Sequence, residues 1–310
     1  MGFLRRLRGR PEPGPPWASS LDSRGFARFE ALLGADMRRR GWACRREADG
    51  LHVEAADLPG GRQLFGLSNL AQVCGQIDPG EWAAEIRAHF DTMAVVQAIG
   101  DDLFADFERC RPNLRLRLMT ADDRVVDALK VIRYPIARGL TAVLVLDLPT
   151  SVATIPRDEA EAWPPVDELF RIALDNIRAE PAPERRTVEV RGARIVAELG
   201  GSFFVASRLL MLREELDLEG ADGVLVAIPT RHALLAHVIR DRSAVPALPA
   251  LALLARDTAL AGPGAITSAV YWWHAGALTE IPVAIGDDSR VTVEPPAEFR
   301  RLLDEVAARP

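Results

Sequence analysis

The chain has 310 residues, of which 48% are hydrophobic and 26% are charged, so it can bury one large core or two of ordinary size. Its net charge of −6 disfavours a generic nucleic-acid binder, because contact with phosphates requires clustered positive charge. The apolar runs look too short to span a bilayer, and three cysteines without short pair spacing argue against a disulfide framework or a thiolate metal site.

Residues 1–20 are predicted to form a disordered, basic and proline-rich tail. Residues 11–16, Pro-Glu-Pro-Gly-Pro-Pro, cannot hold a helix because each proline lacks the amide hydrogen that a helix requires. Phe3, Leu4 and Leu7 could share a helical face opposite arginines, which leaves peripheral membrane contact through residues 1–10 as an alternative. The apolar part of the tail is too short for a secretory signal, so we expect a cytoplasmic protein.

A first α+β lobe is predicted over residues 21–148. Apolar residues recur at helical spacing from about Asp22 to Arg40, and Gly41 is expected to end this helix. A second helix should start at Asp78-Pro79-Gly80-Glu81, with Asp78 as its cap. Its buried face is predicted to hold Trp82, Ile86, Phe90 and Met93. Short strands, separated by Asp-Gly and Gly-Gly turns, are predicted at residues 42–46, 51–55, 63–67, 114–119, 131–137 and 140–148.

A proline-rich and acidic connector over residues 149–165 is predicted to lead into a second α+β lobe, residues 166–310. Apolar periodicity predicts helices at residues 166–177, from about Ser207, at 247–261 and around Phe299. Three short strands are expected across residues 187–205. Further strands are predicted at residues 223–229, 269–274, 277–285 and 290–293.

The order of the elements predicts an α+β fold of two related lobes, with mostly antiparallel sheets packed by helices. The halves share segments that suggest an internal duplication: LTAVLV at residues 140–145 and LTEIPV at 278–283, with Gly-Gly turns at Gly60 and Gly200. These pairs lie at unequal distances along the chain, so a duplication requires compensating insertions. The alternative is that apolar strands of similar composition match by chance.

Motifs of catalysis and of cofactor binding do not occur in the sequence. It lacks a Gly-rich phosphate loop, a Walker lysine pattern and a GxSxG elbow, so we predict no catalytic residue and no cofactor. His232 and His237 stand at a spacing that points them in different directions, which predicts no metal site. His89 falls on an apolar helix face and should be a core histidine. Capping or turns explain the adjacent carboxylates Asp101-Asp102, Asp122-Asp123 and Asp287-Asp288.

One aromatic strand is the strongest candidate for a binding surface. In Tyr271-Trp272-Trp273-His274 the pleat should send Tyr271 and Trp273 to one face and Trp272 and His274 to the other. Arg133 and Tyr134 occupy the corresponding strand of the first half. Amphipathic aromatic residues with arginine are frequent in binding hot spots, although packing between the lobes explains the same pattern.

A second candidate site combines dispersed polar residues. Arg231, His232, Asp147 and His274 could converge in a cleft between the lobes, because active sites assemble from distant positions of a sequence. Such a cleft would make the protein a hydrolase-type enzyme, which is the alternative prediction of function.

Several segments resemble the YtpQ-like family of bacterial proteins of unknown function. They are LSNL at residues 67–70, LTAVLVLD ending at Asp147, LFRIALDNI at 169–177, SRLL at 207–210 and VAIPTRHALL at 226–235. The family has Asp after the arginine of the last segment, where this chain has His232, so a role for that acid does not carry over. The resemblance implies a shared architecture and supplies no catalytic residues.

Together these features predict a non-catalytic cytoplasmic binding protein. A peptide, a protein or a small ligand would bind between the lobes or on a sheet face. The helix–strand order of each half is similar to that of secretion-chaperone modules, which is an analogy of fold alone.

Overall fold

The computed structural model describes the chain at residues 15–18, 20–46, 50–54, 62–98, 103–120, 130–148, 151–286 and 288–309. Several predictions concern other positions. The following lie outside the described residues: Phe3, Leu4, Leu7, the Gly60-Gly61 turn, Asp101-Asp102, Asp122-Asp123, Asp287 and the side chain of Met93.

The first of two units into which the chain divides comprises Met1–Leu103 and Ala261–Pro263. Helix α1 (Ser23–Arg40) begins after Asp22, whose carboxylate accepts a hydrogen bond from the Gly25 amide at 2.7 Å. The helix ends at Gly41, whose left-handed φ of 72° costs glycine no strain. Both predicted ends of this helix are confirmed.

The last part of the predicted tail is ordered. Pro16–Ala18 forms a 3-10 turn, Ala18 is buried, and the Trp17 ring lies edge-on to Phe26 of α1 with 5.5 Å between ring centroids. The prediction of disorder up to residue 20 is therefore wrong for these residues, because Trp17 and Ala18 contribute apolar area to the core beside α1.

Three antiparallel strands follow α1 in the first unit. They are β1 (Ala43–Arg46), β2 (Gly50–Glu54) and β3 (Arg62–Gly66), and they pair in that order. Each lies within one residue of a predicted strand. Two helices then complete the unit, α2 (Ser68–Gln76) and α3 (Trp82–Ala98).

Helix α3 begins later than predicted. The Asp78 carboxylate accepts a hydrogen bond from the Gly80 amide at 2.7 Å, so it closes a turn of its own before the helix starts at Trp82. Trp82, Ile86 and Phe90 are buried as predicted. The start is wrong and the buried face is right, because apolar periodicity depends on the helix interior and not on its cap.

The second unit comprises Phe104–Leu260 and Gly264–Pro310. Its largest element is a six-stranded antiparallel sheet in the order β13-β12-β10-β11-β9-β8. The strands are β8 (Glu184–Val190), β9 (Ala193–Leu199), β10 (Val224–Ala227), β11 (Ala233–Val238), β12 (Val270–His274) and β13 (Ala277–Ile281). Where three strands were predicted across residues 187–205, there are two, and Ala206–Met211 forms 3-10 turns.

A second, smaller sheet of this unit has the order β4-β6-β5, with β7 also on β6. Its strands are β4 (Leu114–Thr120), β5 (Arg133–Ala137), β6 (Leu140–Leu148) and β7 (Ser151–Thr154), and β14 (Val283–Ile285) pairs separately with β15 (Val291–Val293). The helices are α4 (Phe107–Cys110), α5 (Val166–Arg178), α6 (Leu212–Glu215), α7 (Ala244–Ala261) and α8 (Ala297–Ala307). Antiparallel sheets packed by helices confirm the predicted α+β class.

Both faces of the six-stranded sheet are buried. On one face Leu225 and Trp272 pack in one core with side chains of α7 and α8. On the other face Val226 and Tyr271 pack with Leu118 of β4 and Ala142 of β6.

The division between the units falls at Leu103 and Phe104, not in the predicted connector at residues 149–165. Strands β4 and β6, which were assigned to the first lobe, share a core with the six-stranded sheet. Part of the connector is itself a strand, since β7 pairs with the end of β6 from Val145 to Leu148. Proline content predicted a linker there, but pairing along β6 holds the segment in the second unit.

The internal duplication is not confirmed. The neighbour of β4 is β6, which carries the LTAVLV segment, and β5 lies beyond it. In the supposed copy the neighbour of β10 is the aromatic strand β12, and the LTEIPV segment follows in β13. Similar short segments therefore occupy different positions in the two sheets.

Helix α7 needs a comment, because the sequence was expected to contain no segment long enough to span a bilayer. Within the described part of the chain, this 18-residue helix is the one that meets the length and composition of a membrane span. However, 44% of it is buried inside the protein, and Leu248 and Leu251 belong to the core under the six-stranded sheet. Burial in that core accounts for its apolar composition.

Candidate functional site

A pocket of about 830 Å³ lies in the second unit. Four chain segments line it: the start of β4, the end of β6, residues 180–184 after α5, and residues 199–208 after β9. Such a volume is typical of small-ligand sites, which measure about 300–1,000 Å³. The segments come from both predicted lobes but belong to one unit.

An ion pair braced by a hydroxyl forms one side of the pocket. Arg115 Nε donates to Glu180 Oε1 at 2.7 Å, and Ser202 Oγ donates to Glu180 Oε2 at 2.8 Å. The Arg115 and Glu180 side chains are only 12% and 15% exposed. Both oxygens of Glu180 are therefore occupied, and the pair ties β4 to the end of α5 and to the loop after β9.

The same loop connects the pocket to Arg231 and His232. Arg231 Nε donates to His232 Nε2 at 3.0 Å, so the ring proton of His232 must lie on Nδ1, which is 3.0 Å from the Ser202 carbonyl. The Arg231 guanidinium lies over the Phe203 ring, 4.5 Å from its centroid. Burial, followed by the charge of Arg231, lowers the pKa of His232 below its usual value.

Asp147 is the exception among the charged groups of the pocket. It lies at the end of β6, half-buried, and no described residue donates a hydrogen bond to its carboxylate or forms an ion pair with it. Burial raises its pKa, the charge of Arg115 lowers it, and the charge of Glu180 raises it again. The pocket thus presents one carboxylate whose charge has no direct partner.

A network of two arginines and two glutamates lies behind the remaining wall. Arg208 lines the pocket and contacts the Glu215 carboxylate, while Arg185 bridges Glu215 and the buried Glu198. Burial raises the pKa of Glu198, and one of its oxygens has no partner among the described residues. These pairs fix the loop after β9 against the six-stranded sheet.

The aromatic strand is core and not an open binding face. Tyr271 and Trp272 are 2% and 5% exposed, and they point to opposite faces as the pleat predicted. Trp272 packs on Phe299 of α8 with 5.1 Å between ring centroids. The predicted alternation is right. The predicted binding role is wrong for these two residues, because β12 is an interior strand and both of its faces are covered.

The other predicted binding residues lie apart from the pocket lining. Trp273 is half-buried under the Arg213 guanidinium, and His274 is exposed and stacks on Trp272 with 4.9 Å between ring centroids. Tyr134 and Arg133 are exposed on β5, where the Tyr134 ring packs against Phe170 at 5.7 Å. None of these four lines the pocket.

The four residues of the alternative hydrolase site do not converge. Arg231 and His232 contact the pocket wall at Ser202 and Phe203, and Asp147 lines the pocket. His274 lies beside Asp222, before β10, whereas Arg231 follows β10. The strand alone separates them by about 10 Å at ~3.3 Å per residue, so His274 is not part of this site.

Ser243 and His237 are a nucleophile and a base by type, but their geometry is that of a helix start. Ser243 Oγ is 3.4 Å from His237 Nε2, and His237 Nδ1 is 2.8 Å from the Arg194 carbonyl. His237 is only 4% exposed. The first amides of α7, which could stabilise an oxyanion, already donate to backbone carbonyls. No cluster of metal-ligating side chains occurs among the described residues.

Two further predictions concern single residues of the first unit. Burial lowers the pKa of His89, which packs edge-on to Phe90 with 5.1 Å between ring centroids, as expected of a core histidine. Burial, together with the charge of Glu85, raises the pKa of Cys74 to about 12, so this thiol is not activated.

Acidification from pH 7.5 to 5.5 is expected to lower the free energy of unfolding of the second unit. Burial lowers the pKa of His237 and His232 below the usual 6.5, against the opposing charge of Asp241 on His237. The unfolded chain therefore takes up protons that the native unit does not, and stability that is complete above about pH 6.5 is lost below it. Replacing His237 with glutamine should reduce this dependence by at most about 1.4 kcal/mol per pH unit. Urea unfolding at both pH values tests this; equal dependence in both proteins would contradict it.

Sequence reasoning missed most of the pocket. The alternation Leu-Arg-Leu-Arg in β4 could have marked Arg115 and Arg117 as half-buried, because every second residue of that strand is core. No pattern marks Glu180 or Ser202, whose importance depends on Arg115, far away in the sequence. Asp147 and Arg231 were singled out, and the structure places them at and beside the pocket.

Comparison with known proteins adds no relative on which to base an assignment. No family model matches the chain, and neither a curated protein nor a solved structure matches it.

Proposed function

We propose that this protein is a non-catalytic binding protein whose pocket receives a small ligand, or the side chain of a peptide, through a cationic nitrogen bound by Asp147. The observation that carries the proposal is the Asp147 carboxylate, which has no partner among the described residues in a pocket whose other charges are paired. Arg115, Arg208 and Glu184 each contact an opposite charge.

The chemistry of the pocket favours a ligand with an apolar body and a positive end. Phe203, Phe204 and Val205 supply apolar and aromatic wall, which suits an alkyl chain. A cationic nitrogen beside Asp147 would offset the burial and the negative charge of Glu180 that raise the pKa of this carboxyl group. Ligand and carboxylate would then form a charge-assisted hydrogen bond, which is stronger than a neutral one.

Butylammonium, butylguanidinium and butanol are suitable probes for isothermal titration calorimetry and NMR shift mapping. We expect the two cations to bind in the pocket and butanol to bind much more weakly. Asp147→Asn, which keeps the shape of the side chain, should weaken cation binding by about tenfold or more. Glu184→Gln is the matched control, because Glu184 lines the same pocket but pairs with Arg186. Equal binding of butanol, or unchanged cation binding by Asp147→Asn, would reject the proposal.

Hydrolase-type catalysis is the second candidate. It is favoured by two carboxylates in one pocket, Asp147 and Glu180, held in different environments, a pattern that acid–base pairs show. It ranks lower because His274 is remote and Ser243 sits at a helix start. Turnover of nitrophenyl esters, phosphates or glycosides that Asp147→Asn abolishes would favour it over a binding role.

Two wider assignments stay with the proposal. A YtpQ-like relationship is supported by the segments that carry the resemblance, since they form α5 and the β10–β11 hairpin beside the site. A cytoplasmic location is supported by the apolar helix α7 being largely core. The peptide-holding role of secretion chaperones is an analogy for the kind of ligand, and the butylammonium and butylguanidinium probes mimic the lysine and arginine side chains of such a peptide.

A further inference from the structure

We propose that Arg231 forms an anion site outside the pocket, which binds the carboxylate or phosphate group of a small ligand. This site goes beyond the proposed function, since it takes the opposite charge and Arg231 does not line the pocket. Four features support it: the guanidinium is held in place, its outer edge is open, a second arginine is near, and no acid neutralises it.

Contacts on three sides hold the guanidinium. The Phe203 ring lies 4.5 Å below it, and His232 Nε2 accepts from Nε at 3.0 Å. On another side lies the backbone of Gly264, so close that a Cβ there would be 2.7 Å from Nε. The glycine permits this approach, and little side-chain freedom is left for a ligand to restrict.

The outer edge of the same guanidinium is available. No described residue accepts a hydrogen bond from Nη1 or Nη2 of Arg231. Neither atom is among the buried side-chain atoms without a partner, so both reach solvent. Two parallel N–H groups on one edge match the two oxygens of a carboxylate or a phosphate.

The local charge is positive and uncompensated within the described part of the chain. Burial, together with the charge of Arg117 on β4, lowers the pKa of Arg231 to about 10, and no carboxylate acts on it in the opposite sense. Arg117 has contacts of its own and contributes here through its charge. His232, the remaining titratable neighbour, is held neutral by the proton arrangement described above.

Other buried arginines show that this state is unusual for the protein. Arg40, Arg115 and Arg208 are 9%, 12% and 8% exposed, and each contacts a carboxylate. A half-buried cation without such a partner is costly, and an external oxyanion would supply the missing charge. An anion at Arg231 therefore completes a pairing that the protein provides elsewhere from its own side chains.

The test is a titration of the full chain with inorganic phosphate and, separately, with acetate, followed by NMR of the arginine Nε–H groups and histidine rings. Sodium chloride at matched ionic strength controls for screening. We expect saturable shifts of the Arg231 Nε–H signal at millimolar concentrations of at least one oxyanion, and a rise in the pKa of His232. The two arms separate phosphate ligands from carboxylate ligands.

Variants make the test specific. Arg231→Lys keeps the charge but loses the planar edge, so affinity should fall about tenfold. Arg240→Lys is the matched control, because Arg240 already pairs with Asp217. Asp147→Asn should bind the anion as the natural protein does, so loss of cation binding with intact anion binding separates the two proposals.

Three results would overturn the anion site. They are shifts that chloride reproduces, equal affinity of Arg231→Lys and the natural protein, and absence of any shift at Arg231 with both oxyanions. If Arg231→Lys does not fold, the titration of the Arg231 signal in the natural protein decides alone.

Discussion

Replacing Glu180 with alanine is expected to lower the free energy of unfolding of the second unit by about 3 kcal/mol. Glu180 accepts from Arg115 and from Ser202, and the ion pair is largely buried. Removing one partner of a buried pair leaves the other charge without compensation, which typically costs about 3–5 kcal/mol. We expect the lower end of that range because Arg115 Nη1 keeps the carbonyls of Pro112 and Leu114.

The control for this variant is Glu184→Ala, a carboxylate of the same pocket. The side chains of Glu184 and Arg186 are 59% and 61% exposed, so solvent screens their attraction and the change should stay below about 0.5 kcal/mol. Urea unfolding of both variants at neutral pH gives the comparison. If the two variants were equally stable, the Arg115–Glu180–Ser202 group would not be the brace that we infer.

Replacing Tyr271 with alanine is expected to cost about 3–5 kcal/mol, because it empties a buried aromatic position in an interior strand. The side chain packs against β4 and β6, and its hydroxyl bonds to Thr267, while burial raises its pKa to about 12. Thermal or urea unfolding with a fluorescence readout measures the loss.

Tyr134→Ala is the natural comparison, since the chain has two tyrosines and this one is 53% exposed. Its contact with Phe170 should be worth about 1 kcal/mol. A binding surface on β12 would give the opposite result, with little loss of stability in Tyr271→Ala and loss of a ligand. Similar stability of the two variants would therefore restore the aromatic strand as a candidate binding face.

Local patterns in the sequence were reliable where the structure depends on near neighbours. Helix α1 has its cap at Asp22 and its stop at Gly41 because both act within one helical turn. Strand β6 and helix α5 matched their predicted ranges closely, since apolar residues dominate the whole of β6 and one face of α5.

Predictions failed where distant contacts decide. Apolar residues at 203–205 were assigned to a strand, but this segment leads into 3-10 turns whose residues pack in the core shared by the two sheets. The proline-rich connector pairs with β6, and the repeated segments enter different sheet positions. Short apolar segments carry no information about their partners, so their pairing could not be predicted.

The sequence alone determined the α+β class, most of the helices and strands, and the interest of Asp147 and Arg231. Only the tertiary structure decided that Arg115, Glu180 and Ser202 meet, that Tyr271 is core, and that Arg231 has no carboxylate among its described neighbours. The physical reason is that a charge acquires its meaning from burial and from its partners. Both depend on residues far apart in the chain, which come together only when the sheets pack.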